Sequence, residues 1–459
     1  MRVAAAPALR SFRGAKGLSG LLCGLCAFGL GALPALPAAA QEGKEAAPEK
    51  ARGRSAGPLN PQVAAMPDNS WLKLRTPTPH SIVRSGSPWM PYAPEAKVAF
   101  VWGAVHGGSS NDLWTYDMAA NAWKELHKAE AHAAQDPGVL KLKDAVLMTR
   151  EERPLAGHQW GAMDYDSDGH ALWLYTDAGC SWQGLYTGGS HLHIDSLKVR
   201  LSFTGKEYEE ALSKRAVKGP TLWKYDLKTN KWSWVHSDDS ARVAGYASTF
   251  RYFPPLGKFV VVPMYKDDQN TLKLFDPKSR KWEGRKLTRK VDPSDYISSN
   301  SPIVYDSRRK VMVISNTQPG GTFILDPVQG TLEKIVPAAK TPFVNLDGNC
   351  GILVYDSVNA TTLTVYTKSN FKVYDTGKHF EKLGLPCDDT YVWALDIDKK
   401  EWCLQPPPTG GVKPGERGAT MSHAYYDPAQ NAVLVYEGSY GGGDGDTWVY
   451  RYKAARRGR

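Results

Sequence analysis

The stretch LWKYD at residues 222–226, with Trp232 six residues after it, decides the fold of this chain. It returns fifty residues later as LKLFD at residues 272–276, followed by Trp282. Alternating large residues predict a strand with one buried face. The Asp that follows, ahead of short polar residues, predicts a tight turn. Each copy therefore predicts a strand, a turn and a second strand that begins near the Trp and packs on a neighbouring sheet.

The pattern recurs along most of the chain. Further copies are LWTYD at 113–117, FILD at 323–326, VWALD at 392–396 and TWVYR at 447–451. A second marker, Tyr followed by Asp, Ala or Phe, precedes the copies at residues 92–93, 165–166, 252–253, 305–306, 355–356 and 426–427. An apolar run such as FVVV at 259–262 follows each marker, as is typical of strands buried on both faces. Four strands in a unit of about 50 residues predict a β-propeller.

We therefore predict an all-β fold with six four-stranded blades over residues 68–455. A seventh blade is the alternative, because Tyr374-Asp375 also fits the marker and residues 371–403 have room for an extra strand pair. Two insertions interrupt the repeat, at residues 124–152 and 181–219, and both are predicted to be partly helical. The helices are expected around 139–150 and 207–215.

The predicted ring also needs a closure. The last unit ends at Thr447–Tyr452 with a third strand and no fourth, whereas SWLKL at residues 70–74 is a strand without a unit. If that strand completes the last blade, the two ends of the propeller share one sheet and no open edge remains between them.

The repeat resembles that of the kelch-repeat and galactose-oxidase-like propeller superfamily, from about Trp71 to Tyr452. The double glycine of that pattern is present as Gly107-Gly108 and Gly320-Gly321, and within residues 441–443. Relatives with oxidase activity hold copper through tyrosines and histidines, with one Tyr-His pair. No Tyr-His dipeptide occurs in this chain, so the resemblance implies the fold rather than the oxidase reaction.

The first 40 residues have the features of a secretory signal peptide. Basic residues without an acid are followed by an apolar stretch and by Ala38-Ala39-Ala40. Residues 41–67 are rich in Ala, Pro, Gly and charge, and predict a disordered linker. We expect a secreted or periplasmic protein, with no transmembrane segment after cleavage. Removal of four basic residues lowers the net charge from +10 to +6, and the remaining basic residues are spread along the chain, so nucleic acid is not expected as a partner.

Four cysteines remain after cleavage: Cys180, Cys350, Cys387 and Cys403. An even number in an exported chain is compatible with disulfides. Cys387 with Cys403 is the first of the three pairings to consider, since both flank one predicted strand unit. Buried free thiols are the alternative.

A candidate metal site lies in the second insertion. His191, His193 and Asp195 share one face if this stretch is a strand, and imidazole and carboxylate suit zinc, copper or iron. The alternative is the polar, solvent-facing side of an inserted hairpin, because three ligands within five residues make a short motif. Apart from such a metal ion, no cofactor is expected.

Two further groups are candidates for ligand binding. Arginines precede the first strands of four units, where guanidinium groups near the channel would bind a carboxylate or sulfate; they are Arg84, Arg153, Arg242 and Arg417. A structural role between blades is the alternative for these arginines. Loop aromatics would stack on sugar rings, with His158 beside them, and packing is the alternative; they are Trp89, Trp160, Trp182 and Tyr186.

The function expected from these features is that of a binding or scaffold protein, a monomer that recognises a glycan, an anionic ligand or an envelope protein. The competing hypothesis is a carbohydrate-acting enzyme that depends on a metal held by the two histidines and the aspartate. A propeller fold does not choose between them, because this fold supports many activities.

Overall fold

The computed structural model describes residues 58–77, 89–102, 111–130, 140–143, 146–154, 161–175, 222–236, 249–262, 269–297, 301–316, 320–342, 352–366, 377–386, 389–408, 411–414, 422–437 and 445–453. Within these ranges the chain forms six blades of four antiparallel strands, one of which carries a fifth, parallel strand, and a separate two-stranded hairpin. The inner strands of consecutive sheets contact one another all the way around. The fold is therefore a closed, six-bladed β-propeller, as the repeat predicts.

The first three blades follow one another in sequence. Blade 1 contains β2 (Tyr92–Ala93), β3 (Val98–Trp102), β4 (Leu113–Asp117) and β5 (Ala122–His127). A separate hairpin of β6 (Leu140–Lys143) and β7 (Val146–Thr149) follows. Blade 2 contains β8 (Met163–Asp166), β9 (Ala171–Tyr175), β10 (Leu222–Asp226) and β11 (Lys231–His236). Blade 3 contains β12 (Phe250–Phe253), η1 (Pro254–Leu256), β13 (Lys258–Val261), β14 (Thr271–Asp276) and β15 (Lys281–Lys286).

The other three blades complete the ring. Blade 4 contains β17 (Ile303–Asp306), β18 (Val311–Asn316), β19 (Gly321–Asp326) and β20 (Thr331–Val336), with β16 (Thr288–Lys290) added in parallel outside β20 and η2 (Ala338–Lys340) after it. Blade 5 contains β21 (Ile352–Asp356), β22 (Thr361–Tyr366), α2 (Gly377–Lys382), β23 (Tyr391–Asp396) and β24 (Glu401–Leu404). Blade 6 contains β25 (Ser422–Asp427), β26 (Ala432–Glu437), β27 (Asp446–Arg451) and β1 (Ser70–Leu74).

Strand β1 closes the ring, which confirms the prediction for SWLKL. It pairs antiparallel with β27 from Ser70 opposite Arg451 to Leu74 opposite Thr447. The Trp71 ring packs on the Tyr450 ring with centroids 4.9 Å apart. The last blade is thus built from both ends of the propeller, which removes an unpaired edge.

The residues that precede β1 reinforce this closure. Residues 58–67, at the end of the segment predicted as a linker, include α1 (Pro61–Ala64), which Asn60 caps through its side chain. Val63 of this helix is fully buried. The Arg451 guanidinium donates hydrogen bonds to the carbonyls of Val63 and Met66, at 2.7 and 3.3 Å. The chain is therefore fastened to blade 6 ahead of its first strand.

Tight turns join the first to the second strand of each blade, and the third to the fourth strand of blades 1 to 5. Asp at the end of the preceding strand accepts hydrogen bonds from backbone N–H groups in most of these turns; Asp226, for example, accepts from Lys228 and Thr229 at 2.9 and 3.0 Å. The last turn residue has a positive φ, as at Asn230 (56°) and Lys310 (57°). A turn followed by a left-handed residue suits a short hairpin, so the Asp-rich repeat encodes the turns directly.

In blades 1, 2, 3 and 5 the tryptophan that follows the turn after the third strand packs on the preceding blade, as predicted. The Trp282 ring lies 5.9 Å from that of Tyr175, and the Trp123 ring lies 5.2 Å from that of Tyr436. The Trp402 indole donates a hydrogen bond of 2.7 Å to the Thr322 hydroxyl. Buried aromatic and branched side chains between neighbouring sheets form the core, so each blade depends on its neighbours for burial.

Three sequence predictions require correction. The helix expected over 139–150 is the hairpin β6–β7, because Leu and Lys alternate at 140–143 with the period of a strand. The extra strand pair considered within 371–403 is replaced by the short helix α2, and the ring has six blades. Cys403 carries a free thiol, so its pairing with Cys387 is wrong.

The helix expected near 207–215 lies outside the described residues. Within the described ranges, the helices are all too short or too polar to cross a membrane.

Candidate functional site

The two faces of the propeller differ in the length of their connections. The turn face carries the tight four-residue turns, such as 227–230 and 307–310. The loop face, at the opposite strand ends, is where second strands connect to third strands and where each blade connects to the next. Its connections include the 46 residues between Tyr175 and Leu222. The long connections therefore start and end on one face, as in many binding proteins built on rigid scaffolds.

Most of the predicted site residues belong to loop-face connections and lie outside the described residues. This applies to the ligand-binding candidates Arg84, His158, Trp160, Trp182, Arg242 and Arg417, and to the metal-binding candidates His191, His193 and Asp195. The described strands on either side of each segment end at the loop face.

Arg153 and Trp89 are the predicted ligand-binding residues that the structure describes, and Arg153 lies at the edge of blade 1. Its guanidinium donates a hydrogen bond of 3.2 Å to the Lys128 carbonyl and pairs with Glu151. Its backbone N–H donates to the Thr149 hydroxyl at 2.9 Å. Burial lowers the pKa of nearby His127, and the charge of Arg153 lowers it further. Arg153 therefore fastens the β6–β7 hairpin beside the outer strand of blade 1, away from the inner strands.

The inner strands instead surround a different arginine, Arg251 of β12, which is 4% exposed. Its Nε donates to the Ile303 carbonyl of blade 4 at 3.2 Å. Its Nη1 donates to the Met163 carbonyl of blade 2 at 3.3 Å and also to the Gly161 carbonyl. One guanidinium thus joins three consecutive blades at the centre of the ring.

Asp164 and Trp89 complete this central cluster. The Asp164 carboxylate accepts a hydrogen bond of 2.8 Å from the backbone N–H of Tyr252. The Arg251 guanidinium lies over the Trp89 ring, 4.6 Å from its centroid, and Trp89 bridges to Ala424 of blade 6. Trp89 was predicted as a loop aromatic, and the structure places it in this half-buried stack.

Burial dominates the electrostatics of the central cluster. It raises the pKa of Asp164 to about 6, with the positive charge of Arg251 opposing the shift. Burial also lowers the pKa of Arg251 to about 10. Both ions therefore lose hydration, and the hydrogen bonds to backbone groups offset part of that loss.

The sequence contains a signal for this cluster that lies beside the repeat markers. Asp164 and Arg251 each stand one residue before the inner-strand Tyr of their blade. Opposite charges at the same register position of consecutive blades meet when the blades are adjacent. The corresponding residue in blade 4 is Val304, and in blade 5 it is Val354.

Blade 6 carries buried polar residues at its loop-face end. Glu437 on β26 stands opposite Asp446 on β27, and they are 1% and 7% exposed. Asp446 pairs with Lys73 of the closing strand at 2.9 Å. His423, at the start of the inner strand, is 2% exposed. Across the described ranges, no group of three or more His, Cys, Asp or Glu side chains is arranged to hold a metal ion.

The strand order and the ring contacts define the chain as a six-bladed β-propeller. No protein-family model matches the chain, and no curated protein matches its sequence. Among solved structures it is similar to a protein of unknown function from Bacteroides thetaiotaomicron, at 10% identity over 84% of this chain and 73% of that chain, with a TM-score of 0.43.

Two further solved structures are similar at the same distant level. One is a GH74 enzyme from Niastella koreensis, at 12% identity over 76% of this chain and 44% of that chain, with a TM-score of 0.38. The other is an oligogalacturonate lyase from Vibrio parahaemolyticus, at 11% identity over 83% of this chain and 96% of that chain, with a TM-score of 0.37. The assignment of the fold rests on the chain's own strands.

Proposed function

We propose that this protein is an exported, kelch-like propeller that binds a glycan, an anionic ligand or a partner protein through its loop face. The observation that carries the proposal is the unequal distribution of connections, with four-residue turns on one face and segments such as 176–221 on the other. A ring of interlocked blades with long loops on one face is a common way to present a binding surface.

The buried polar residues support the same face. Apart from the turn aspartates and the central cluster, many of them stand at strand ends next to loop-face connections, as do Asp112, Ser301 and Glu437. Buried polar groups require hydrogen-bond partners, so such strand ends tie the loops to the scaffold. Arg84, Arg242 and Arg417 precede the inner strands of blades 1, 3 and 6, which favours an anionic ligand.

The kelch assignment is part of the proposal and has one local support. Gly320 and Gly321, the double glycine of blade 4, have φ values of 102° and 120°. A Cβ on Gly321 would lie 2.9 Å from the Lys334 side chain and 3.1 Å from the Val336 carbonyl. Residues other than glycine are strained at such φ values, so a glycine pair is needed at this position.

A glycan array probed with the mature protein, from Gln41 onward, tests the binding role. We expect binding to at least one class of neutral or acidic glycan, and weaker binding by the Trp182→Ala and Arg242→Gln variants. Arg308→Gln is the matched control, because Arg308 is an exposed arginine on the turn face. An array without binding would leave protein partners as the ligand class. Equal loss in the control would contradict the loop-face assignment.

The competing enzyme hypothesis is tested on the same preparation. It predicts that zinc, copper or iron copurifies, and that alanine at His191 and His193 removes both the metal and an activity on carbohydrate. A metal-free protein whose binding survives both substitutions would remove this hypothesis. Export is tested by expressing the full chain in a bacterium and sequencing the N-terminus, for which we expect Gln41 as the first residue.

A further inference from the structure

A second charged feature lies on the outer edge of blade 3, far along the chain from the loop-face candidates. Residues 273–290 contain eight Lys or Arg and two Asp or Glu, which is a net charge of +6 in 18 residues. The whole chain carries +10. This stretch, which includes the turn before β15 together with β15 and β16, therefore has a high density of positive charge, although basic residues occur throughout the sequence.

The carboxylates near this edge are already engaged. Glu283 pairs with Lys258 at 2.8 Å, and Glu333 pairs with Lys400 at 2.7 Å. Asp295 pairs with Lys334 at 2.7 Å. Asp276 accepts hydrogen bonds from backbone N–H groups within its turn, and these hydrogen bonds help to lower its pKa. Little negative charge is left to neutralise the remaining cations.

Five exposed cations on this edge have no carboxylate within ion-pair distance among the described residues. They are Lys278, Arg280, Lys281, Lys286 and Lys290. Each is exposed, so no burial cost has to be offset by a partner within the protein. Their charges face solvent and are available to an external anion.

The cations follow one another along the chain as a row that passes from β15, at the edge of blade 3, to β16, at the edge of blade 4. Arg285 donates to the Pro327 carbonyl at 2.6 Å, which ties the two blades together. The Thr288 N–H donates to the Gly330 carbonyl at 2.7 Å, and a Cβ on Gly330 would lie 2.5 Å from the Lys286 carbonyl. At about 3.3 Å per residue, the row from Lys281 to Lys290 extends over at most roughly 30 Å.

We propose that this basic edge, residues 278–290, binds a linear acidic polysaccharide. A narrow row of cations along a strand edge matches the charge of an extended polymer, with one carboxylate or sulfate group near each cation. Binding to a flat membrane would require a broad basic surface with several exposed apolar residues. Among the described residues next to the row, Val328 is the exposed large apolar side chain. Trp282 is half-buried, so the row lacks the exposed aromatic platforms that single-stranded nucleic acids use.

This inference rests on the proposed export, which brings the protein into contact with acidic polysaccharides, and it is independent of the loop face. The test compares binding of the mature protein to alginate, dextran sulfate and neutral dextran at 50 and 200 mM salt. The test variant combines Lys278→Gln, Lys281→Gln, Lys286→Gln and Lys290→Gln. The matched control combines Lys124→Gln, Lys128→Gln, Lys382→Gln and Lys453→Gln, four exposed lysines in blades 1, 5 and 6.

We expect binding to alginate that weakens with salt, on the order of tenfold weaker binding by the test variant, and no more than about a twofold change in the control. Neutral dextran should not bind. Equal losses in the two variants would overturn the proposal, because binding would then follow net charge alone. Tighter binding to a 20-base-pair DNA or to phosphatidylglycerol vesicles than to alginate would also overturn it, and would assign the edge to that partner. A loss of loop-face glycan binding in the test variant would show that the two surfaces are not independent.

Discussion

Replacement of Arg251 by Met is the sharpest test of how the blades are held together. Methionine is a long, unbranched and apolar side chain, and the substitution removes every hydrogen-bond donor of the guanidinium. It leaves the carbonyls of Ile303 and Met163 without their guanidinium partner, and they lie 3.2 and 3.3 Å from it in the native protein. It also leaves the buried Asp164 without the nearby positive charge.

The expected cost is about 3–5 kcal/mol, the range for removing one partner from a buried charged pair. The assay is urea unfolding followed by tryptophan fluorescence, with Arg308→Met as the exposed control, for which we expect a change within about 0.5 kcal/mol. Adding Asp164→Asn to Arg251→Met should recover part of the loss at pH 8, because no uncompensated charge is then buried. A loss below about 1 kcal/mol for Arg251→Met, or no recovery in the double variant, would refute a central electrostatic role for this arginine.

Three further predictions follow from single contacts. Because burial raises the pKa of Asp164 from 3.8 to about 6, its contribution to stability is present at low pH and is lost as pH rises through that interval, by about 3 kcal/mol; between pH 3.5 and 7.5 the unfolding free energy of the wild type should fall by this amount relative to that of Asp164→Asn, and a constant difference between the two proteins would refute the shift. Gly330→Ala should cost more stability than Gly257→Ala, since both have φ near 60° and Gly330 alone faces a carbonyl within 2.5 Å; equal melting temperatures would mean that the close approach to Lys286 is relieved easily. Asn60→Ala should cost about 1–2 kcal/mol, because Asn60 caps α1 and also donates to the Met118 carbonyl at 3.0 Å; an unchanged melting temperature would show that the helix does not stabilise the ring.

Most of the fold could be predicted from the sequence because the repeat pattern occurs six times. Each Tyr marker lies at the end of an inner strand, and each Asp at the end of a third strand accepts hydrogen bonds in a turn. The unpaired strand SWLKL can complete one blade, because one unit of the sequence lacks a fourth strand. The incorrect secondary-structure predictions concern segments outside the repeat. Residues 140–149 alternate over too few positions to distinguish a hairpin from a helix, and the described residues within 371–403 form α2, β23 and β24 without an additional strand pair among them.

The candidate site was less predictable because it depends on distances between blades. Arg153 and Arg251 are both close to inner strands in the sequence. The structure places Arg153 beside the outer strand β5 and Arg251 at the centre of the ring. No spacing rule separates these positions, since the hairpin β6–β7 displaces Arg153 from the repeat. The outer basic edge is contiguous in the sequence, but its position at the edges of blades 3 and 4 depends on the partners of β15 and β16, which spacing does not give.

The central claim is a six-bladed ring closed by β1, and hydrogen–deuterium exchange of residues 70–74 tests it most directly. We expect the backbone amides of this strand that pair with β27 to be protected to the same degree as those of β27 itself, and both to lose protection together when urea is added. Exchange of residues 70–74 at the rate of an unstructured peptide, while residues 446–451 stay protected, would contradict the closure and leave blade 6 with three strands.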